Sequence, residues 1–162
     1  MTDPDFSTFP VKARGQLYQD FSVGEVFEHH WGRTLTEADG VLFCTQTLRF
    51  TPLYFNAHYA QQHGHPGAVI DPLLVLCTVV GLSVEDLSEA GGPFLGIDKV
   101  RFQRPVYPAD TLSARSVVLA MRPSESHPAT GVVTWSTEAR NQRGEVVVTY
   151  ERSNLVAKRE AH

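Results

Sequence analysis

The sequence predicts an α+β domain in which a long antiparallel sheet wraps around one buried apolar helix. Three observations carry this. Residues 72–82 read PLLVLCTVVGL, apolar on every face, which is the pattern of a helix without a solvent side. From Phe94 onward the apolar period falls from 3.6 to 2. Helical and strand segments lie in separate blocks, which argues against alternating βαβ units.

The elements follow in order. Residues 1–20, with Pro4, Pro10 and Gly15, read as an irregular arm against the surface. Residues 25–35 (EVFEHHWGRTL) read as one extended strand. Thr36 and Asp39 make a capping box, with Asp in place of the usual Glu, and open a short helix through Ala38, Val41, Leu42 and Cys44. Pro52 interrupts that pattern. A second short helix covers 56–63, and Gly64-His65-Pro66-Gly67 is a loop. Asp71 then suits a helix N-cap and Pro72 the first helical position. Residues 83–89 continue as a polar extension that Gly91-Gly92-Pro93 ends.

Four strands come next. On the first, Val100, Phe102 and Arg104 alternate with Lys99, Arg101 and Gln103. Tyr107-Pro108-Ala109-Asp110 turns a corner. The second covers 111–121, with Leu112, Ala114, Ser116, Val118 and Ala120 on one face. The third covers 131–141, with Val133, Trp135, Thr137 and Ala139 together. Arg143-Gly144 is a hairpin turn into the fourth, which runs toward Ala157. A long antiparallel sheet around one helix is the hotdog architecture. The expected division is an arm over 1–20, a single hotdog domain over 21–158 and a tail over 159–162.

At 162 residues the chain has the length of one domain that buries a core without staples. Its 14 Lys and Arg against 18 Asp and Glu give a formal net charge of −4, so the basic footprint of a non-specific nucleic-acid binder is missing. Cys44 and Cys77 form no CxxC, which excludes a disulfide framework or a cysteine-built zinc site. Asp3 and Asp5 stand where a secretory leader carries positive charge, and the longest apolar stretch, 73–82, is too short for a membrane span of about 20 residues. A cytoplasmic setting with no membrane contact is therefore expected. No HExxH or 2-His-1-carboxylate spacing occurs, so no metal and no cofactor are expected. Both cysteines lie on apolar helical stretches and read as core. A sheet edge left unpaired on so small a chain invites a homodimer, or a higher assembly of dimers.

GRTLTEADGVLF, then TPLYFNAHYA, then AVIDPLLVL, then VRFQRPVYPADTL together closely resemble the MaoC-like family of hotdog enoyl-CoA hydratases, over about residues 20–157. Within it the chain resembles a divergent branch of the itaconyl-, mesaconyl- or methylmalyl-CoA type. The resemblance implies an acyl-CoA thioester substrate, addition or removal of water at an α,β-unsaturated thioester, and a site shared across a homodimer. The family's Asp and, five residues on, His are here Arg49 and Tyr54. Its Ala-His-Gly helix opening is here Ile70-Asp71-Pro72.

Hydration of an enoyl thioester needs a base for water, an acid for the α-carbon and donors to the thioester oxygen. Asp71 and Tyr54 can supply base and acid, and the amides of Leu73 and Leu74 sit at the positive end of their helix. Arg49 can grip a substrate carboxylate as a fork. Asn56 is a further substrate-binding candidate, and Lys99, Arg101 and Arg104 are candidates for the CoA phosphates. Each also has a plainer role: Asp71 and Asn56 as helix caps, Tyr54 as a half-buried aromatic, Arg49 as a surface or interface ion-pair residue, and the three cations as a solvated strand face. The expected function is hydration or dehydration of a short branched or dicarboxylic enoyl-CoA with a non-standard acid/base pair. The alternatives are a non-catalytic acyl-CoA-binding or scaffolding hotdog protein and a hotdog thioesterase.

Overall fold

A computed structural model describes residues 15–159. Most of the expected arm, residues 1–14, and positions 160–162 of the expected tail lie outside the described residues. The described end of the arm holds a single 3-10 turn, Tyr18–Asp20. A Cβ on Gly131 would collide with the Tyr18 ring, so only glycine lets that ring lie against the sheet.

The sheet is antiparallel, in the order β1-β4-β5-β6-β3, where β1 is Val26–Glu28, β3 Phe94–Phe102, β4 Thr111–Pro123, β5 Thr130–Arg140 and β6 Val146–Ala157. The expected single strand over 25–35 is two short ones, β1 and β2 (Arg33–Thr34), both paired with β4. The break has a cause. His29 turns inward, its Nδ1 2.6 Å from Asp86 Oδ2 and its Nε2 2.8 Å from Ser116 Oγ, while Trp31 swings out to bond Glu85.

Among the described residues four α-helices precede β3. Helix α1 is Glu37–Thr47, with the expected capping box at Thr36 and Asp39. Helix α2 is Ala57–Gln62, α3 is Pro72–Leu82, and the expected polar extension is a separate helix, α4, Val84–Leu87. Val75 and Val79 of α3 are buried in one apolar cluster with Leu112, Ala114, Ala139 and Val148 from the sheet. Leu87, Val118, Val133 and Trp135 belong to a second cluster.

Between the clusters runs a polar seam. Arg152 is 1% exposed, and its two terminal nitrogens donate to Ser83 and Ser88, which ties the α3–α4 junction to β6. Burial pushes its guanidinium below the usual arginine range. Burial likewise pushes the Tyr150 hydroxyl up.

Three expectations are corrected. Helix α3 is not buried on every side: Leu73 is 42% exposed and Cys77 is exposed, because nothing among the described residues covers the face opposite the sheet. Cys77 is therefore not core, whereas Cys44 is buried. Ala120 does not share the face of Leu112 to Val118. An irregularity in the β4–β5 register between Val118 and Ala120 shifts the alternation and leaves Ala120 exposed.

Candidate active site

The site is built at the N-terminus of α3. Asp71 caps the helix, its Oδ1 accepting the Leu73 N–H at 2.8 Å. Its Oδ2 accepts the Arg49 Nε–H at 2.8 Å, and the side chain is fully buried. Both Asp71 oxygens are thus engaged. Arg49 reaches this carboxylate because α1 ends abruptly. Leu48 takes a left-handed φ of 56° at the C-cap, which turns the chain back on itself.

The Arg49 guanidinium carbon lies 5.6 Å from the centre of the Tyr54 ring, a cation–π contact. The hydrogen bond to Asp71, then the charge of that carboxylate, holds Arg49 above the usual arginine range. The side chain is 37% exposed, Asp71 takes only its Nε–H, and the Tyr54 hydroxyl is close enough to act on the guanidinium as well. Cys44 lies close enough to feel both charges. Burial raises its thiol pKa most, Asp71 raises it further and Arg49 opposes this. Arg49, Tyr54 and Asp71, expected to act together, do stand together.

The backbone donors differ. The Leu73 N–H is taken by Asp71, but the Leu74 N–H has no acceptor among the described residues. It is an unpaired donor at the positive end of α3.

The other candidates stand apart. Asn56 Oδ1 caps α2 by accepting the Tyr59 N–H at 3.0 Å. Lys99 pairs with Glu151 at 2.8 Å, Arg104 with Glu145 at 3.6 Å, and Arg101 donates to the Val100 carbonyl. A bulge between Asp98 and Arg101, with Lys99 at φ 53°, disturbs the expected alternation. Of the three cations, Arg104 alone lines the cleft at the start of α3 described next.

That cleft, of about 240 Å³, is lined by Leu53, His65, Pro72, Val75, Phe102 and Arg104 among others. Leu53 and Pro72 are the chain neighbours of Tyr54 and Asp71. A hollow of about 320 Å³ on α1 is lined by Val41, Cys44, Thr45, Phe50 and Phe55, with Cys44 linking it to the Arg49–Asp71 pair. His65 and Tyr107, whose side chains meet at 2.9 Å, were not among the expected site residues. They lie 42 positions apart, so no local pattern joins them.

A sheet curled around one helix, with its polar groups gathered at the helix start, defines a hotdog-fold domain. A double-hotdog protein from Mycobacterium tuberculosis shares this fold, with a TM-score of 0.79 at 22% identity over 91% of this chain and 46% of that one. The chain belongs to the mesaconyl-CoA hydratase family, whose family model matches residues 6–162. A mesaconyl-CoA hydratase of Haloarcula hispanica is 38% identical over 93% of this chain and 42% of its own length. A beta-methylmalyl-CoA dehydratase of Chloroflexus aurantiacus is 37% identical over 90% of this chain and 41% of its own. The solved structure of a MaoC domain protein from Chloroflexus aurantiacus superposes with a TM-score of 0.84 at 36% identity, over 90% of this chain and 41% of that one. The chain thus spans about two-fifths of the length of the curated relatives it matches.

Proposed function

We propose that this chain is a hydro-lyase unit that adds water to, or removes it from, a short branched or dicarboxylic enoyl-CoA of the mesaconyl or itaconyl type. The carrying observation is a partly exposed guanidinium anchored through Nε on buried Asp71, beside the start of α3. Its terminal nitrogens, which Asp71 does not use, suit a substrate carboxylate through two parallel hydrogen bonds. The Leu74 N–H and the α3 dipole suit the thioester oxygen, where charge develops as water adds. Tyr54 carries a hydroxyl beside Arg49 and is the acid candidate. Asp71 holds Arg49 in place and takes part in proton transfer only when Arg49 shifts off its Oδ2. Lys99, Arg101 and Arg104 are proposed contacts for CoA phosphates once they release their present partners, and Asn56 serves the site by capping α2.

The partner proposed is a second copy. The uncovered face of α3, with Leu73 and Cys77, the exposed Val84 of α4, and the edge strand β3, with Phe94, Leu95 and Phe102 exposed, support it. An apolar face of this kind gains from burial against another unit. The two-domain length of the double-hotdog protein and the longer curated relatives are in line with two such units working together.

One observation favours a second reading. Asp71 has no exposed surface and no free oxygen, which suits a domain that binds acyl-CoA without turning it over. A panel of enoyl-CoA esters, followed by loss of the conjugated thioester absorbance, separates the two. Turnover of dicarboxylic esters supports the hydro-lyase. Tight binding with no turnover of any ester supports the binding domain.

A further inference from the structure

Hydration moves two protons, and the cleft at the start of α3 needs a group that can both take and give one. Asp71 is sealed and bonded through both oxygens. The histidines are the natural carriers, and their placement separates them. His29 has both ring nitrogens engaged inside the polar seam. His30 lies on the surface near Glu85 and against Trp31. His58 meets Gln62, and His63 meets the Tyr59 carbonyl and stacks on the Tyr59 ring. His127 lines a different hollow, with Pro93 and Leu155, and His162 lies outside the described residues. His65 alone lines the cleft beside α3.

The local structure fits a proton carrier. His65 Nδ1 lies 2.9 Å from the Tyr107 hydroxyl, and Nε2 has no partner among the described residues. Tyr107 is itself fixed. Its N–H donates to Asp110 Oδ2 at 3.0 Å, and buried Asp110 is further held by Gln142 and Arg143. Burial, then the Asp110 charge, pushes the Tyr107 hydroxyl up, so it stays a phenol that can donate or accept. When Nδ1–H donates to the Tyr107 oxygen, Nε2 is a base. When the Tyr107 hydroxyl donates to Nδ1, Nε2 carries the proton.

We propose that His65 is the proton-transfer group of this cleft, oriented by Tyr107, with its Nε2 serving the bound enoyl thioester. The proposal rests on the hydro-lyase function put forward above. In hydration, Nε2 takes a proton from water as the water oxygen bonds the β-carbon. The electron pair of the C=C bond passes to the thioester oxygen as an enolate. As the enolate collapses, its α-carbon takes that proton back from Nε2. Net, one water is added and His65 is restored. Tyr107 is a positioning residue, because it acts through His65.

The test uses His65→Gln and Tyr107→Phe in the full chain, with a saturated dicarboxylic acyl-CoA as binding probe. His65→Gln is expected to lower kcat by roughly 100- to 10,000-fold and to remove the acid limb of the pH profile, with probe affinity held within about threefold. Tyr107→Phe is expected to keep the acid limb but displace it, with a smaller loss of kcat. In the wild type, the His65 Nε2 resonance is expected to move when the probe saturates the protein. Retained kcat and an unchanged limb in His65→Gln overturn the proposal, as does an Nε2 resonance that ignores the probe. If the wild type turns over no ester, the hydro-lyase function falls, and the Nε2 response alone decides whether His65 touches the thioester. If His65→Gln does not fold, Tyr107→Phe and the wild-type resonance decide.

Discussion

Trp135 and Arg152 are cross-strand partners on β5 and β6, both fully buried, with the guanidinium carbon 5.5 Å from the centre of the indole. The stacked cation reaches on to Ser83 and Ser88 and so fixes the end of α3 remote from the site. A lysine cannot reproduce the stacked plane or the two separate donors. Arg152→Lys is expected to lose about 1–3 kcal/mol of stability, read from urea unfolding. A loss within the error of the wild type would show that the seam does not hold the junction.

Asp71 does two jobs that different substitutions separate. Asparagine keeps the cap, so Asp71→Asn is expected to lose only about 1 kcal/mol. Asp71→Ala loses the cap and the Arg49 anchor and is expected to lose about 2–3 kcal/mol. A rate lower by roughly 100-fold or more in Asp71→Asn would give the carboxylate a part in proton transfer. An unchanged rate would leave it as anchor and cap.

For Arg49 the informative measurement is a ratio. Arg49→Met is expected to lower kcat/KM on a mesaconyl- or itaconyl-type ester by roughly 30- to 1,000-fold and to leave crotonyl-CoA nearly unchanged, if that ester turns over. Equal losses on both would mean that Arg49 supports the fold and does not read the acyl group.

Acid stability has an identifiable contributor in Asp39. Its carboxylate accepts from the Thr36 hydroxyl and the Thr36 N–H, and these bonds, ahead of Arg33, hold it below the usual aspartate range. A lowered folded pKa gives stability that is present above the unfolded value and is lost as pH falls through the folded one. The loss is expected from about pH 4 downward. Asp39→Asn should flatten that part of a melting-temperature profile. A profile as steep as the wild type's would assign the acid limb elsewhere.

Assembly is testable by sedimentation. The wild type is expected to run as two copies at micromolar concentration. Phe102→Asp, which puts a charge on the exposed edge strand, is expected to shift it toward one copy. A wild-type monomer would remove the second-copy partner.

Local chemistry was legible in the sequence, and contacts across long separations were not. The box at Thr36 and Asp39 and the cap at Asp71 span two or three residues, so residue type alone announces them. The strands β4 to β6 followed from alternation, because one face of each is buried. Three candidate residues, Arg49, Tyr54 and Asp71, were singled out through motif positions, and the contact between Arg49 and Asp71 spans 22 positions. Nothing local pairs His29 with Asp86 or Arg152 with Ser83, which lie 57 and 69 positions apart. Periodicity also could not see that one side of α3 stays uncovered, because an apolar face has the same pattern whether its cover comes from its own chain or from another.

The bulge in β3 has a consequence for solubility. A straight, apolar sheet edge is a template onto which stray strands add without limit, the route to fibrils. Here the register slips between Asp98 and Arg101, and Lys99 sits at a positive φ with its charged head on the surface. A strand that docks on this edge must carry a matching kink and tolerate the lysine. The irregularity therefore acts as a filter against polymerisation. Straightening β3 would be expected to show itself first as turbidity on concentration.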